Sequence, residues 1–87
     1  MSALQEVADF AESQRERLCH AITATIDHLH SDEGCNRPAE ECVAWEMEHA
    51  LRMVDYYAVT LGTPWHVAVK FMADSYERAL AKLEGEI

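Results

Sequence analysis

Apart from Gly85 near the end, glycine and proline, the residues that most often end helices, occur in only two short segments of this 87-residue chain, which limits what the chain can fold into. The first segment, 34–38, contains a glycine and a proline, and the second is Gly62-Thr63-Pro64. Between these breaks no stretch alternates apolar and polar residues for long enough to predict a β-strand. The pattern therefore predicts an all-α fold of three helices, in one domain spanning residues 1-87.

The first predicted helix is long and runs from about residue 2 to about residue 31. Ser2 is the expected N-cap, and Gln5 follows three residues later as in a capping box. The apolar residues recur at intervals of three, four and seven, which is the spacing of one helix face. They are Leu4, Ala8, Ala11, Leu18, Ile22 and Leu29. We also expect Cys19, beside Leu18, to be a small buried side chain.

The other two helices are predicted over about 38–61 and about 63–85. Pro38 suits a first helical turn, Gly62 suits the position after a helix, and Thr63 followed by Pro64 predicts an N-cap and N1 pair. The expected core residues of the second helix are Val43, Met47, Ala50, Val54, Tyr57 and Leu61. Those of the third helix are Trp65, Ala68, Met72, Tyr76, Ala79, Leu83 and Ile87. The short link predicts an antiparallel hairpin, and with the first helix packed along it a three-helix bundle, completed by dimerisation or a partner.

The second helix carries a further stripe beside its predicted core face. This aromatic stripe consists of Cys42, Trp45, His49, Met53 and Tyr56, which recur every three or four residues. At 100° per residue it lies roughly 90–120° from the core face. Either the helix is central, with a neighbour on each side, or the stripe binds a second subunit or a target protein. On the second alternative, Trp45, His49, Met53 and Tyr56 are partner-binding residues.

Negative charge is concentrated around the first break. The chain has 16 acidic and 7 basic side chains and a formal net charge of -9. Seven of the acidic residues and one basic residue lie between Asp27 and Glu48, so that stretch carries a net -6. It is either a solvated surface or a patch that meets a basic protein surface. Its candidate partner-binding members are Asp32, Glu33, Glu40 and Glu41.

Histidine and cysteine raise the question of a metal site. His28, Cys35, Cys42 and His49 recur at intervals of seven residues. Two cysteines and two histidines suit tetrahedral zinc, although closely spaced pairs such as C-x2-C are absent. The segment from Glu46 to His49 resembles the Glu-x-x-His pair of ferritin-like di-iron bundles, which implies iron if glutamates of other helices face the same point. A zinc or di-iron bundle is therefore one alternative, whereas the main hypothesis has no cofactor.

Several function classes are disfavoured by the sequence. It has no glycine-rich phosphate loop, nucleophile elbow or His-Glu-x-x-His motif, so we expect no enzyme activity. The negative charge disfavours direct nucleic acid binding, and no apolar run of about 18 residues predicts a membrane span. The opening residues lack the features of a signal peptide. Together with an odd number of cysteines, three, this favours reduced thiols. A cytoplasmic location is therefore expected.

The leading hypothesis is a small acidic regulatory protein that binds a protein partner without catalysis. It could act as an inhibitor on a basic, nucleic-acid-binding surface, as phage-type inhibitors or antitoxins do. The alternatives are the metal-binding bundle and a structural subunit of a larger assembly.

Overall fold

The structure, a computed structural model, describes residues 3–30 and 36–85. These residues form three helices, α1 (Ala3–Leu29), α2 (Ala39–Leu61) and α3 (Trp65–Leu83), and contain no strand. The predicted all-α three-helix bundle is thereby confirmed. The expected N-cap Ser2 and the expected core residue Ile87 lie outside the described residues.

Glycine and proline delimit α2 and α3, although one cap differs from the prediction. Gly62 follows α2 with a φ of 66°, a left-handed conformation that glycine adopts without steric cost. Pro38 and Pro64 stand immediately before α2 and α3 with ψ values of 144° and 142°. The predicted N-cap Thr63 is wrong: the carbonyl of Pro64 accepts from the N–H groups of Val67 and Ala68, both at 3.0 Å, so Pro64, predicted at N1, is the N-cap.

α1 and α3 are parallel, and they pack against each other more extensively than either packs against α2. Near the start of both helices, the Phe10 ring meets His66 edge to face with centroids 5.9 Å apart. Further along both, Arg17 Nη2 donates to Asp74 Oδ1 at 2.8 Å. Since these contacts occur in the same order along both helices, the two run in the same direction.

α2 runs antiparallel to α3, as the short link between them predicts. The indole N–H of Trp65, at the start of α3, donates to Asp55 Oδ1 near the end of α2 at 2.8 Å. The hydroxyl of Tyr76, late in α3, donates to Glu46, early in α2. Burial and this hydrogen bond raise the pKa of Tyr76 well above its ordinary value. Both effects favour the protonated phenol, which donates the hydrogen bond that links the two helices.

The core is small, and half of its buried apolar residues are alanine. They are Leu18, Ala21, Ile22, Ala50, Val54, Ala68, Val69 and Ala73. Alanine side chains let helices approach closely, but each removes little apolar area from water. Within the described residues, four large apolar side chains are fully buried, two on α1 and one on each other helix. Burial in the isolated chain is thus modest for a sequence that is 49% hydrophobic.

The predicted core face of α1 is wrong in its first two turns. Leu4 is 83% exposed, and Ala8 is also exposed. Cys19, expected to be buried beside Leu18, is exposed as well. It lies one residue, or about 100°, round the helix from the fully buried Leu18.

The predicted core face of α3 is too narrow and rotated. Val69 and Ala73 are fully buried but lie outside the predicted set, whereas Ala79 and Leu83 are exposed. The prediction assumed a single apolar stripe. α3 contacts α1 and α2 on different sides, so its buried surface is wider than one stripe.

Arg17 joins α1 to α3 through a polar network. Its guanidinium donates to Asp74, to Glu77 at 3.0 Å and to Gln14. Lys70 Nζ also donates to Asp74, at 2.7 Å. These two cations, Lys70 first and Arg17 second, hold the pKa of the Asp74 carboxyl below its ordinary range. Gln14 is buried, and its carbonyl oxygen is satisfied by Arg17.

Two leucines of α1 give a matched test of the core. We expect Leu18→Ala to lower the free energy of unfolding by about 2–5 kcal/mol, because it leaves a cavity where the side chain is fully buried. Leu4→Ala, the same change at an exposed site, should alter it by less than about 0.5 kcal/mol. Urea unfolding followed by circular dichroism measures both. Equal losses in the two variants would contradict the described core.

Asp74 should make stability depend on pH. Because its native pKa is lowered, its contribution is complete above the unfolded-state pKa of about 4 and is lost as pH falls through the native value. Asp74→Asn should therefore lower stability at pH 7 and weaken the loss of stability between about pH 5 and pH 2. Urea unfolding across this range measures both effects. Glu12→Gln, at an exposed site on α1, is the control and should keep the wild-type profile.

Candidate protein-binding face

The aromatic stripe of α2 lies largely on the solvent side of the bundle. Trp45 is 60% exposed, and His49 and Tyr56 are exposed, whereas Cys42 and Met53 are half-buried. The core contacts of α2 come instead from its opposite side, through Ala50 and Val54 and their neighbours. Most of the stripe thus remains accessible to another molecule.

Trp45 and His49 form a flat aromatic surface at the centre of the stripe. Their rings are stacked, with centroids 5.6 Å apart and planes 2° from parallel. The stacking follows from their spacing, because residues four apart lie on one helix face. Arg52 Nη2 donates to Glu48 Oε1 at 2.5 Å beside them, and the four residues line a depression of about 230 Å³. The stacked rings are therefore bordered by the ion pair of Glu48 and Arg52.

Two of the four candidate partner-binding acidic residues lie at the N-terminal end of α2, the same end as Trp45. Glu40 and Glu41 are exposed in its first turn, where the helix dipole favours negative charge. Trp45 follows Glu41 by four residues, so the two share one face. Asp32 and Glu33, the other predicted members of the patch, lie outside the described residues.

A second apolar surface is a groove between α2 and α3. It has a volume of about 310 Å³. Its lining residues are Tyr57, Leu61, Thr63, Ala68, Phe71, Met72 and Ser75, none of which is Asp, Glu, Lys, Arg or His. We call this surface the groove.

The groove contains one residue that sequence reasoning missed and two that it misplaced. The missed residue is Phe71, which is 59% exposed. Its position outside the predicted core stripe of α3 was a signal that could have predicted this exposure. Tyr57 and Leu61 were predicted to be core residues and are exposed. Ala68, one of the α3 residues that line the groove with them, has a side chain too short to cover them.

The groove and the aromatic stripe meet at two adjacent tyrosines. The Tyr56 ring, in the stripe, makes an edge-to-face contact with the Tyr57 ring, in the groove, with centroids 5.7 Å apart. The two surfaces are therefore continuous along α2. They differ in chemistry, because the stripe adjoins carboxylates and the groove has no charged lining.

The candidate metal ligands have different contacts in the structure. His28 Nε2 is 4.0 Å from the carboxylate of the residue that follows α3, Glu46 accepts a hydrogen bond from an α3 tyrosine, and His49 stacks on a tryptophan. Within residues 3–30 and 36–85, no group of three or more His, Cys, Asp or Glu could hold a metal ion. Cys35 lies outside these ranges, so the zinc hypothesis that joins it to Cys42 stays a hypothesis.

Comparison with family models, with curated proteins and with solved structures finds no match to this chain. Among the described residues, no helix combines the length and apolar character needed to cross a membrane. What the chain binds must therefore be inferred from the chemistry of its own surface.

The two tryptophans should report the exposure of the stripe separately. In Trp65→Phe, the remaining Trp45 should emit at long wavelength and be strongly quenched by acrylamide, because most of its indole faces water. In Trp45→Phe, the remaining Trp65 is 37% exposed and its N–H is bonded to Asp55, so quenching should be weaker. Stern–Volmer constants measure the difference. Stronger quenching of Trp65 would contradict the described orientation of α2.

Proposed function

We propose that the chain is a small, non-catalytic protein-binding module that docks the N-terminal half of α2 onto a basic surface of a partner protein. The observation that carries the proposal is Trp45, a large aromatic side chain 60% exposed on the same helix face as acidic residues. Glu41 precedes it by one turn, and Glu48 lines the same depression. An apolar anchor and a source of attraction thus stand side by side.

The two parts of this site contribute to binding in different ways. Burial of an aromatic ring removes a large apolar area from water, and tryptophan is enriched among residues that dominate interface energies. The carboxylates act at longer range, since they speed association with a positive surface and disfavour negative ones. Trp45 should therefore control the dissociation rate, and Glu40 and Glu41 the association rate and its salt dependence.

The charge of the chain indicates what kind of partner fits. A protein of net charge -9 is repelled by nucleic acid and attracted to surfaces that bind it. By covering such a surface, the chain would compete with phosphates for the same lysines and arginines. We therefore propose an inhibitory or regulatory role on a basic, phosphate-binding protein.

Photo-crosslinking from two positions identifies the partner and tests the site. A benzophenone amino acid at position 45 should capture one defined protein with a basic surface in cells of the native source. The same amino acid at position 12, an exposed site on α1, should not capture it. Capture of the same proteins from both positions, or of none from position 45, would contradict the proposal.

Charge reversal then tests the acidic residues against the purified partner. The double variant E40K/E41K should bind at least about tenfold more slowly at low ionic strength, with a shallower loss of affinity as salt is added. Stopped-flow association kinetics measure this. E12K, which reverses one exposed charge on α1, is the control and should bind almost as fast as wild type. Unchanged kinetics in E40K/E41K would exclude steering by these residues.

A further inference from the structure

We infer that the groove seats a second copy of this chain, so that the protein forms a twofold homodimer through α2 and α3. The groove is the α2–α3 surface lined by Tyr57, Leu61, Phe71, Met72 and their neighbours. This surface and this occupant differ from those of the proposed function, and the two proposals stand independently.

The first reason is the imbalance between buried and exposed apolar residues. Within the described residues, eleven large apolar side chains are exposed, whereas four are fully buried. A chain of this size already has a thin folding margin, and half of its buried apolar residues are alanine. Because every copy of the chain buries little apolar area, the molecule that covers its exposed apolar side chains must be present whenever the chain is. Another copy meets that condition.

The second reason is the area available. The accessible surface is 5966 Å², whereas a compact monomer of 9.9 kDa is expected to expose about 5200 Å². The excess of roughly 760 Å² is close to the area of about 800 Å² that each partner buries in an interface of standard size.

The third reason is charge, which indicates both the face through which the chain associates and the molecule that binds there. Two copies of a chain with net charge -9 repel each other, so they must meet where charge is least dense. The groove has no charged lining residue, whereas the aromatic stripe adjoins Glu48 and Arg52. A strongly basic partner would leave its cations without counter-charges in the groove. A copy of the groove has no such cost.

The shape of the groove also suits a self-complementary contact. A twofold interface pairs one patch with the same patch on the other copy. Each copy presents an apolar groove of about 310 Å³ together with Phe71, whose ring is 59% exposed at that surface. Each copy thus offers both an apolar recess and an aromatic side chain that can enter one.

Sedimentation velocity over a concentration series tests the inference. Wild type should sediment as a dimer at micromolar concentration, and Phe71→Asp should raise the dissociation constant at least about tenfold by placing a charge in the groove. Val59→Asp is the matched control and should remain dimeric. Val59 is another large apolar residue, 85% exposed on α2, and does not line the groove. Ser75→Arg, at an exposed groove residue, gives the same test if Phe71→Asp loses helicity.

Salt separates this dimer from the complex of the proposed function. Between about 20 and 300 mM NaCl, the dimer should become tighter because screening reduces repulsion between like charges, whereas binding to a basic partner should weaken. Monomeric wild type at high micromolar concentration would overturn the inference. A dimer that survives both Phe71→Asp and Ser75→Arg, or one that Trp45→Ala dissolves while Phe71→Asp does not, would also overturn it. None of these results would affect the crosslink expected from position 45.

Discussion

The parallel packing of α1 against α3 is the constraint on which the rest of this structure depends. Arg17 spans the two helices and binds carboxylates on α3, while small side chains such as Ala21 and Ala73 are buried in the core. The short link makes α2 antiparallel to α3, and because α1 and α3 pack mainly on each other, α2 supplies one side, through Ala50 and Val54, to the core. The opposite side of α2 is left facing water. The exposed aromatic stripe follows from that arrangement, whereas the groove lies where α2 and α3 meet.

Those two surfaces illustrate how a short helix can support two kinds of association. Around Trp45, apolar area is combined with carboxylates, and affinity should depend on the partner's charge. In the groove the side chains are uncharged, so association there depends on the removal of apolar surface from water. Charge affects it only through the repulsion between the net charges of the two molecules. The contact between Tyr56 and Tyr57 places the two surfaces next to each other on α2.

The helix boundaries could be predicted from the sequence, whereas the helices that each helix packs against could not. Gly62, Pro38 and Pro64 marked the helix boundaries to within about two residues, because backbone geometry at these positions is a local property. The burial of Val69 could not be predicted from periodicity, because a helix that packs against two neighbours buries more than one stripe of its surface. For the same reason the spacing identified the stripe containing Trp45, but it assigned Tyr57 to the core and passed over Phe71. The parallel pairing of α1 with α3 depends on long-range contacts that no window of sequence contains.

The exposed first two turns of α1 have a consequence for how the molecule opens. Residues 3–9, which precede the contact of Phe10 with His66, are all exposed, and Leu4 and Ala8 are not part of the core. Their helical hydrogen bonds are therefore held by local propensity and can break without disturbing the buried cluster. Amide hydrogens there should exchange with solvent through fraying, at a free energy far below that of global unfolding. A protease could remove this segment and leave the Arg17 network and the proposed binding surfaces in place.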